Sequence, residues 1–408
     1  MKYFLFLLLP IFLSASLTNS SNHKREVDIL ESFDIESSFL YDHVLNRMRT
    51  KQATQSKYKR FFEPMQEAYL FIPAIKNILA QNEIPAEFLF LAMAESNFST
   101  RAYSRKKASG LWQFMPGTAK LYGLKINEYV DERRDLIKST KAASKYLSHL
   151  HKKFGKWYLA AIAYNCGEGR LAKAIKKAKT DDLTVLLNYK KKYIPKESRL
   201  YIRKILTLAM MGNNEQLLLN SEYEHLLNRA NAYSISTIKL PKGESLKRVS
   251  KLSGIPIKEL KKLNRHLKYD FIPPFADNYD IYIPYIKLSD FKQKYFKTKI
   301  QNVYKVHRVK TGDSLSAIGR KYGVSYKIIM DFNNLKNTRL KLKQKLIIPI
   351  DSKSKSSKVN SKFYYMVKRG DTLDSISKKH RVSVKSIKRY NHLKSSMIRI
   401  GERLKLYE

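Results

Sequence analysis

The chain carries one cysteine, Cys166, in 408 residues. An intramolecular disulfide is thereby excluded, and packing must carry the fold in any compartment. Also missing are a His, Cys or acidic cluster at metal-ligand spacing and a Gly-rich phosphate loop, so no metal and no cofactor is expected. Acidic residues are scarce: 35 Asp and Glu face 79 Lys and Arg, a formal net charge of +44. Such an excess ordinarily raises nucleic acid as a partner through phosphate neutralisation. Here the lysines are spread along the whole chain instead of forming one aromatic-interleaved stripe. No helix-turn-helix, zinc or RNA-binding signature accompanies them, so nucleic acid is not expected. The charge reads as a solvated surface, or as a salt-sensitive attraction to anionic polymers and membranes. Long apolar runs are absent too. The stretch from Tyr3 to Leu13 falls short of the roughly 20 residues a bilayer span needs. With Lys2 before it and Ser14-Ala15-Ser16 after it, the run reads as a signal peptide over 1–16 and hence an exported protein, a retained anchor being the alternative.

What is present begins with 43% hydrophobic residues, the content of a globular protein, on a chain long enough for about two to four domains. Residues 17–65 mix polar stretches with an amphipathic pattern around Phe39 to Met48 and suggest no role. From 66 to 215 the chain carries its candidate chemistry. There, Ile84 to Phe98 predicts a helix: Pro85 suits its first position, Glu87 its first turn, and Phe88, Leu89, Leu91, Ala92 and Met93 fall mostly on one face. Glu95 then lies on the last turn. Apolar surroundings strip water from a carboxyl group, disfavour its charged form and hold a proton near neutral pH, as a general acid requires. A Glu at a helix end is more commonly solvated or salt-bridged. Its company argues otherwise: Gly110-Leu111-Trp112-Gln113-Phe114-Met115-Pro116, then Ala163-Tyr164-Asn165, then Pro195-Lys196-Glu197-Ser198-Arg199-Leu200-Tyr201.

With Glu95-Ser96, these segments resemble in order and spacing the catalytic domain of the lytic murein transglycosylases, which implies an all-α, goose-type-lysozyme-like domain over 66–215 that cleaves peptidoglycan. The resemblance runs from about Phe62 to Gly212. Asp131-Glu132-Arg133-Arg134-Asp135, followed by Ser139-Thr140 and Ala142-Ala143, is similar to the version found in a membrane-bound branch of that family. A typical glycoside hydrolase flanks the scissile bond with two carboxylates, and only Glu95 matches a catalytic one here. The resemblance implies that Glu95 serves twice, first as acid toward the bridging oxygen and then as base on the sugar's C6 hydroxyl. The muramyl N-acetyl group assists, and a 1,6-anhydromuramyl end forms without water. It also implies that Ser104, Gln113, Met115, Tyr164 and Asn165 line the sugar cleft, with Tyr164 the residue to touch Glu95, and that Glu197 binds substrate. Asp131, Glu132 and Asp135 read as ion-paired and capping residues ahead of a helix capped by Ser139. Phe114 reads as core, and Glu168 is left open. Cys166, where the family usually has a small residue, reads as a buried filler, since no positioned His accompanies it. Related enzymes are often lipoproteins, but no Cys follows the signal segment, so a lipid anchor is not expected.

Beyond 215 an internal repeat appears. Gly312-Asp313-Ser314-Leu315 and Asn333 recur as Gly370-Asp371-Thr372-Leu373 and Asn391 at an offset of 58 (370 − 312, 391 − 333). A degraded copy, Gly243-Glu244-Ser245-Leu246 and Asn264, lies 69 residues earlier (312 − 243, 333 − 264). Each copy reads as a strand, a turn, two helices and a closing strand, a small α+β module of βααβ order. The later pairs of strands are expected at Tyr304 to Val309 with Lys345 to Ile350, and at Tyr364 to Val367 with Arg403 to Tyr407. This pattern resembles the LysM domain, which binds N-acetylglucosamine of peptidoglycan or chitin between its first strand–helix loop and its second helix–strand loop. Modules are placed at 233–286, 303–350 and 363–407, and Gly312, Asp313, Ser314, Gly370, Asp371 and Thr372 are the candidate glycan-binding residues. The first copy has Glu244 for Asp and an insertion from Lys268 to Tyr279 before a closing strand at Ile281 to Pro284, which leaves its glycan binding open. Ile286 to Asn302 and Asp351 to Lys358 read as basic flexible spacers. Several weak glycan contacts on one polymer would raise the effective concentration of the catalytic domain at the wall.

The sequence thus predicts a multidomain, exported peptidoglycan lytic transglycosylase whose partner is the glycan strand. It would cleave the β-1,4 bond between N-acetylmuramic acid and N-acetylglucosamine, with surface charge assisting its association with the wall or an anionic membrane. Two alternatives stay open: a hydrolytic goose-type lysozyme using the same Glu95, and an inactive wall-binding LysM protein.

Overall fold

The computed structural model describes residues 22–52, 55–224, 234–273, 278–297, 304–333, 335–349, 363–380, 382–393 and 395–406. The signal segment 1–16 and the spacer at Asp351 to Lys358 lie outside these residues. No described helix is long and apolar enough to cross a membrane. The chain divides into two compact units, Met1–Val303 and Tyr304–Glu408.

In the first unit, helices enclose one continuous apolar core that runs from Ile29 to Tyr223 and takes in Leu263 and Tyr282 of the first repeat copy. At its centre is the helix Lys196–Gly212, whose residues from Ile205 to Gly212 are all buried. The helix Leu89–Ser96 packs against it closely enough that a Cβ on Gly212 would meet the Phe90 ring at 2.3 Å. Sequence reading expects one helix from Ile84 to Phe98. The structure has a 3₁₀ turn Ala86–Phe88 and then Leu89–Ser96, closed by Asn97 at φ 51°. Leu89 to Ala94 are buried all round, not on one face, because this helix runs through the interior of the domain.

Residues 22–65 are not a separate segment. Phe33, Phe39, Leu45 and Phe62 belong to the main core. Asp42 pairs with Arg203 of the central helix through two hydrogen bonds of 2.8 and 2.7 Å. Pairing of scattered residues with distant partners leaves no periodic signal along the sequence, which is why this stretch is opaque to pattern reading.

Each repeat copy folds as βααβ. In the first, Ile235–Pro241 pairs antiparallel with Asn278–Pro284, flanking helices Leu246–Ser253 and Ile257–Leu263. The second pairs Tyr304–Arg308 with Lys345–Pro349, and the third Phe363–Met366 with Arg403–Leu406. The expected strand ends at Ile350 and Tyr407 lie outside the described residues. The recurring Asn has a physical cause. Asn264, Asn333 and Asn391 each clasp the closing strand at the end of the second helix, donating to and accepting from the backbone of Tyr282, Ile347 and Lys405 at 2.6–2.8 Å. The first closing strand begins at Asn278, inside the stretch that reads as an insertion. The spacer expected from Ile286 is instead the helix Leu288–Lys297, which buries Phe291 and lays Tyr295 on Glu244 at 2.9 Å.

Candidate active site

Glu95 sits where the sequence places it, on the last turn of a buried helix, with its side chain partly accessible. Two successive left-handed residues, Asn97 and Phe98, end that helix abruptly. Ser96 then turns inward, and its hydroxyl donates to the Leu111 carbonyl at 2.7 Å. The Glu-Ser pair therefore joins the acid to the Gly110–Pro116 turn.

That turn is built under steric constraint. Gly110 has φ +82°, and a Cβ there would lie 1.8 Å from the Arg133 carbonyl oxygen. Gln113 is itself left-handed at φ 48°, and its side-chain amide donates to the Gly110 carbonyl at 2.7 Å. Trp112 is fully buried and donates its indole N–H to Thr140 Oγ1 at 3.0 Å, while Phe114 is core and Met115 is 43% exposed. Arg133 ties the turn from behind: it chelates Asp131 and donates to the carbonyls of Phe114 and Lys107 at 3.2 and 2.6 Å.

The group touching the acid is not the expected one. Tyr164 donates to the Trp112 carbonyl at 2.7 Å, whereas the Tyr201 hydroxyl donates to Glu95 Oε1 at 2.5 Å. Tyr164 stays close enough that the charge of Glu95 helps hold its phenol protonated, after the larger effect of burial. Tyr201 was visible as the last residue of the Pro195–Tyr201 motif. One and a half turns of helix from Pro195 bring it under Glu95, a relation no local pattern states. Burial pushes the Glu95 carboxyl above its ordinary range, and Glu197 adds to this. The Tyr201 hydrogen bond and the Lys204 charge oppose it without cancelling it. Lys204, whose ammonium donates to the Ala94 carbonyl at 2.5 Å, is a second group near the acid that sequence reading missed.

Asn165 accepts from the Ser198 hydroxyl at 2.7 Å, joining the Ala163-Tyr164-Asn165 segment to the helix that carries exposed Glu197. Ser104 is used within its own loop, accepting from the Ala108 amide at 3.0 Å. Glu168 pairs on the surface with His149 and Lys153, both at 3.0 Å. Cys166 is half-buried, and burial pushes its thiol up, as for an inert filler. Asp135, not Ser139, caps the helix Leu136–Phe154, accepting from the amides of Ile137 and Lys138; Ser139 is buried inside that helix. In the two later modules the Gly-Asp turn is held internally. Gly312 and Gly370 supply φ near +85°, and Asp313 and Asp371 accept from the amides of Lys310 and Lys368 at 2.8 Å. Ser314 and Thr372 accept from amides three residues on, at 3.1 Å.

A helical domain whose Glu95 is held above its ordinary range by burial, followed by small βααβ modules, fits a glycan-cleaving enzyme of the lytic transglycosylase class. The Transglycosylase SLT domain family matches residues 73–186, and the LysM domain family matches 307–349 and 365–406. The LysM-like domain of lytic transglycosylase MltD matches 234–299, a span that includes the unexpected helix Leu288–Lys297. Membrane-bound lytic murein transglycosylase D of Escherichia coli (strain K12) is 30% identical over 346 residues, 80% of this chain and 74% of that protein. A putative tributyltin chloride resistance protein of Alteromonas sp. (strain M-1) is 38% identical over 141 residues, covering 34% of this chain and 65% of its own. Among solved structures, the 70 kDa soluble lytic transglycosylase of Escherichia coli aligns over 35% of this chain and 24% of its own, at 23% identity and a TM-score of 0.29. The chain belongs to the membrane-bound lytic murein transglycosylase D family. Its activity is lytic transglycosylation of peptidoglycan, with LysM modules that bind the glycan.

Proposed function

We propose that Glu95 is the sole acid–base group of this reaction and acts in both of its halves. Protonated Glu95 gives its proton to the oxygen bridging N-acetylmuramic acid and N-acetylglucosamine. The C1–O bond breaks with its electron pair leaving on that oxygen, and the N-acetyl carbonyl oxygen closes on C1. Glu95, now a carboxylate stabilised by the Tyr201 hydroxyl, takes the proton of the C6 hydroxyl. O6 then displaces the acetamido oxygen from C1, leaving a 1,6-anhydro ring and a reprotonated acid. No water enters, and the proton count closes on Glu95. The observation that carries this reading is a carboxyl group held above its ordinary range by burial, with a phenol, not a cation, bonded to it.

Gln113, Met115, Tyr164 and Asn165 are assigned to the walls that orient the sugar, and exposed Glu197 to a substrate contact at the rim. Ser104 is retained as a rim residue acting through the loop it braces. Gly312, Asp313 and Ser314, with Gly370, Asp371 and Thr372, shape the glycan-binding loops of the later modules. Their carboxylates serve the turn, which leaves the backbone to face the sugar. The protein is assigned to the cell envelope on the strength of its membrane-bound, murein-acting relative. Its surplus of cations favours the carboxylates of the wall and anionic lipid.

The test is Glu95→Gln on purified sacculi. Release of anhydro-ended muropeptides should vanish while the protein still pellets with sacculi. Undiminished release overturns the assignment, and reducing muramic ends from the wild type would make the enzyme a hydrolase.

A further inference from the structure

The first LysM-like copy differs from its siblings in what covers it and in what it touches. In the later copies the turn between first strand and first helix is accessible: Gly312, Ser314, Gly370 and Thr372 are all exposed. In the first, Gly243, Glu244 and Ser245 are buried. The inserted stretch lies across that turn and pairs with its backbone. Gly243 N–H donates to Ile272 O at 2.9 Å, Ile272 N–H to Glu244 O at 2.8 Å, and Leu246 N–H to Asp270 O at 3.0 Å. Phe271 and Ile272 are buried in the process. The loop that would face a sugar is occupied by the module's own chain.

The same copy is joined to the catalytic domain by buried polar contacts. Tyr279 donates to Glu132 at 2.7 Å and Tyr282 to Asp135 at 2.6 Å, with each of these four residues buried. The Asp131 amide donates to the His266 carbonyl at 2.9 Å, and the Lys268 amide to the Tyr129 carbonyl at 2.9 Å. The His266 ring, fully enclosed, stands 3.4 Å from Asp135. The segment gripped in this way is the one that fixes the active-site turn. Asp131 holds Arg133, Arg133 holds the Phe114 and Lys107 carbonyls, and Asp135 caps the helix whose Thr140 holds Trp112.

We propose that the first LysM-like copy has exchanged glycan binding for a place in the catalytic unit, with Tyr279, Tyr282 and His266 as positioning residues for the turn that carries Gln113. They touch no substrate. They clamp residues 131–135, and through them set the distance between Gln113, Met115 and Glu95. The catalytic unit of this enzyme therefore extends through Pro284 and does not end at Gly212.

This rests on the lytic activity assigned to Glu95, and the experiment separates the two. Full-length Tyr279→Phe/Tyr282→Phe is compared with the wild type on purified sacculi, at a fixed interval below each protein's own Tm. The rings and their packing remain, and only the two hydroxyl donors are lost. The expected result is a fall in kcat of about tenfold or more, since small misplacements of positioned groups cost that much, with KM and sacculus pelleting unchanged. His266→Gln, which keeps a polar side chain beside Asp135, should retain more kcat than His266→Ala at equal pelleting. Wild-type kcat in the double variant, with only Tm lowered, overturns the positioning role. Weakened pelleting or a raised KM at full kcat overturns the loss of glycan binding. A wild type that releases no anhydro ends strikes the Glu95 reading instead.

Discussion

Removing the Tyr201 hydroxyl tests the chemistry most directly. In Tyr201→Phe the ring still fills its place on the buried helix, but Glu95 loses the donor at 2.5 Å. A hydrogen bond to a charged group is worth about 1.5–3 kcal/mol, and about 1.4 kcal/mol is tenfold in an equilibrium or a rate. Glu95 begins the reaction neutral and becomes a carboxylate as its proton leaves, so the donor matters more as the barrier is crossed than before it. Loss of the whole interaction at the barrier would slow turnover roughly ten- to hundredfold, an upper bound because charge is only partly developed there.

The same change has a signed effect on pH dependence. The Tyr201 bond lowers the Glu95 pKa against the larger upward effect of burial. Without it the carboxyl holds its proton to still higher pH, so the alkaline limb of the rate profile should move upward while the maximum rate falls. Initial rates of muropeptide release from purified sacculi, followed from acid to alkaline pH with products identified by mass spectrometry, measure both. A Tyr201→Phe enzyme with wild-type rate and an unmoved limb, or a limb displaced toward acid, refutes the reasoning. The phenol would then be packing and not part of the acid.

Other expectations follow from the same geometry. Because burial holds Glu95 above its ordinary 4.5, its contribution to stability is complete below about that pH and is lost as pH rises through the raised value. Glu95→Gln, which never ionises, should therefore melt higher relative to wild type at pH 8 than at pH 4. Equal differences at both pH values would mean the carboxyl is not perturbed. Gly110→Ala forces a side chain onto the Arg133 carbonyl at φ +82° and should cost roughly 2–4 kcal/mol in urea unfolding. A loss under 1 kcal/mol would show that the turn relaxes freely. Deleting residues from Tyr304 onward removes a compact unit and should weaken sacculus pelleting about tenfold or more, as loss of multivalent contact does. Cleavage of short soluble glycans should persist, and unchanged pelleting would dismiss the tethering role.

Local and repeated features were the legible ones. Glu95 on a last helical turn, the Gly110–Pro116 turn and the 58-residue offset all follow from short patterns whose causes lie within a few residues. What stayed hidden was contact between distant segments. Tyr201 reaches Glu95 across 106 positions and Tyr279 reaches Glu132 across 147, and neither relation leaves a period or a motif. The spacer expected after Ile286 is a helix for a related reason. A Lys-rich stretch looks solvated, yet Leu288, Phe291 and Tyr295 fall on one helical face, and Phe291 is buried. Ser139 is expected as the cap of the next helix, but Asp135 holds that place with two amides.

The scarcity of acid in this chain bears on its active site. With 79 cations to 35 carboxylates, almost any buried Asp or Glu can be given a positive partner. Asp42 has Arg203, Asp131 has Arg133, Glu132 has Lys138, Glu244 has Arg248 and Asp270 has Lys261. A close cation keeps a buried carboxylate ionised, which suits structure and disables an acid. Glu95 departs from this pattern. Among the described residues no Lys or Arg nitrogen forms an ion pair with it, and Lys204, the nearest cation to influence it, spends its ammonium on the Ala94 carbonyl. The contact Glu95 does keep is with a phenol that burial holds protonated. A neutral donor can stabilise the carboxylate once the proton has gone without forcing it away beforehand, and that is what a group serving as acid and then base needs. In a protein with cations to spare, a carboxyl bonded to a phenol and to no Lys or Arg is the electrostatic signature of the site; Asp135 shares the phenol, but two helix amides fix it as a cap.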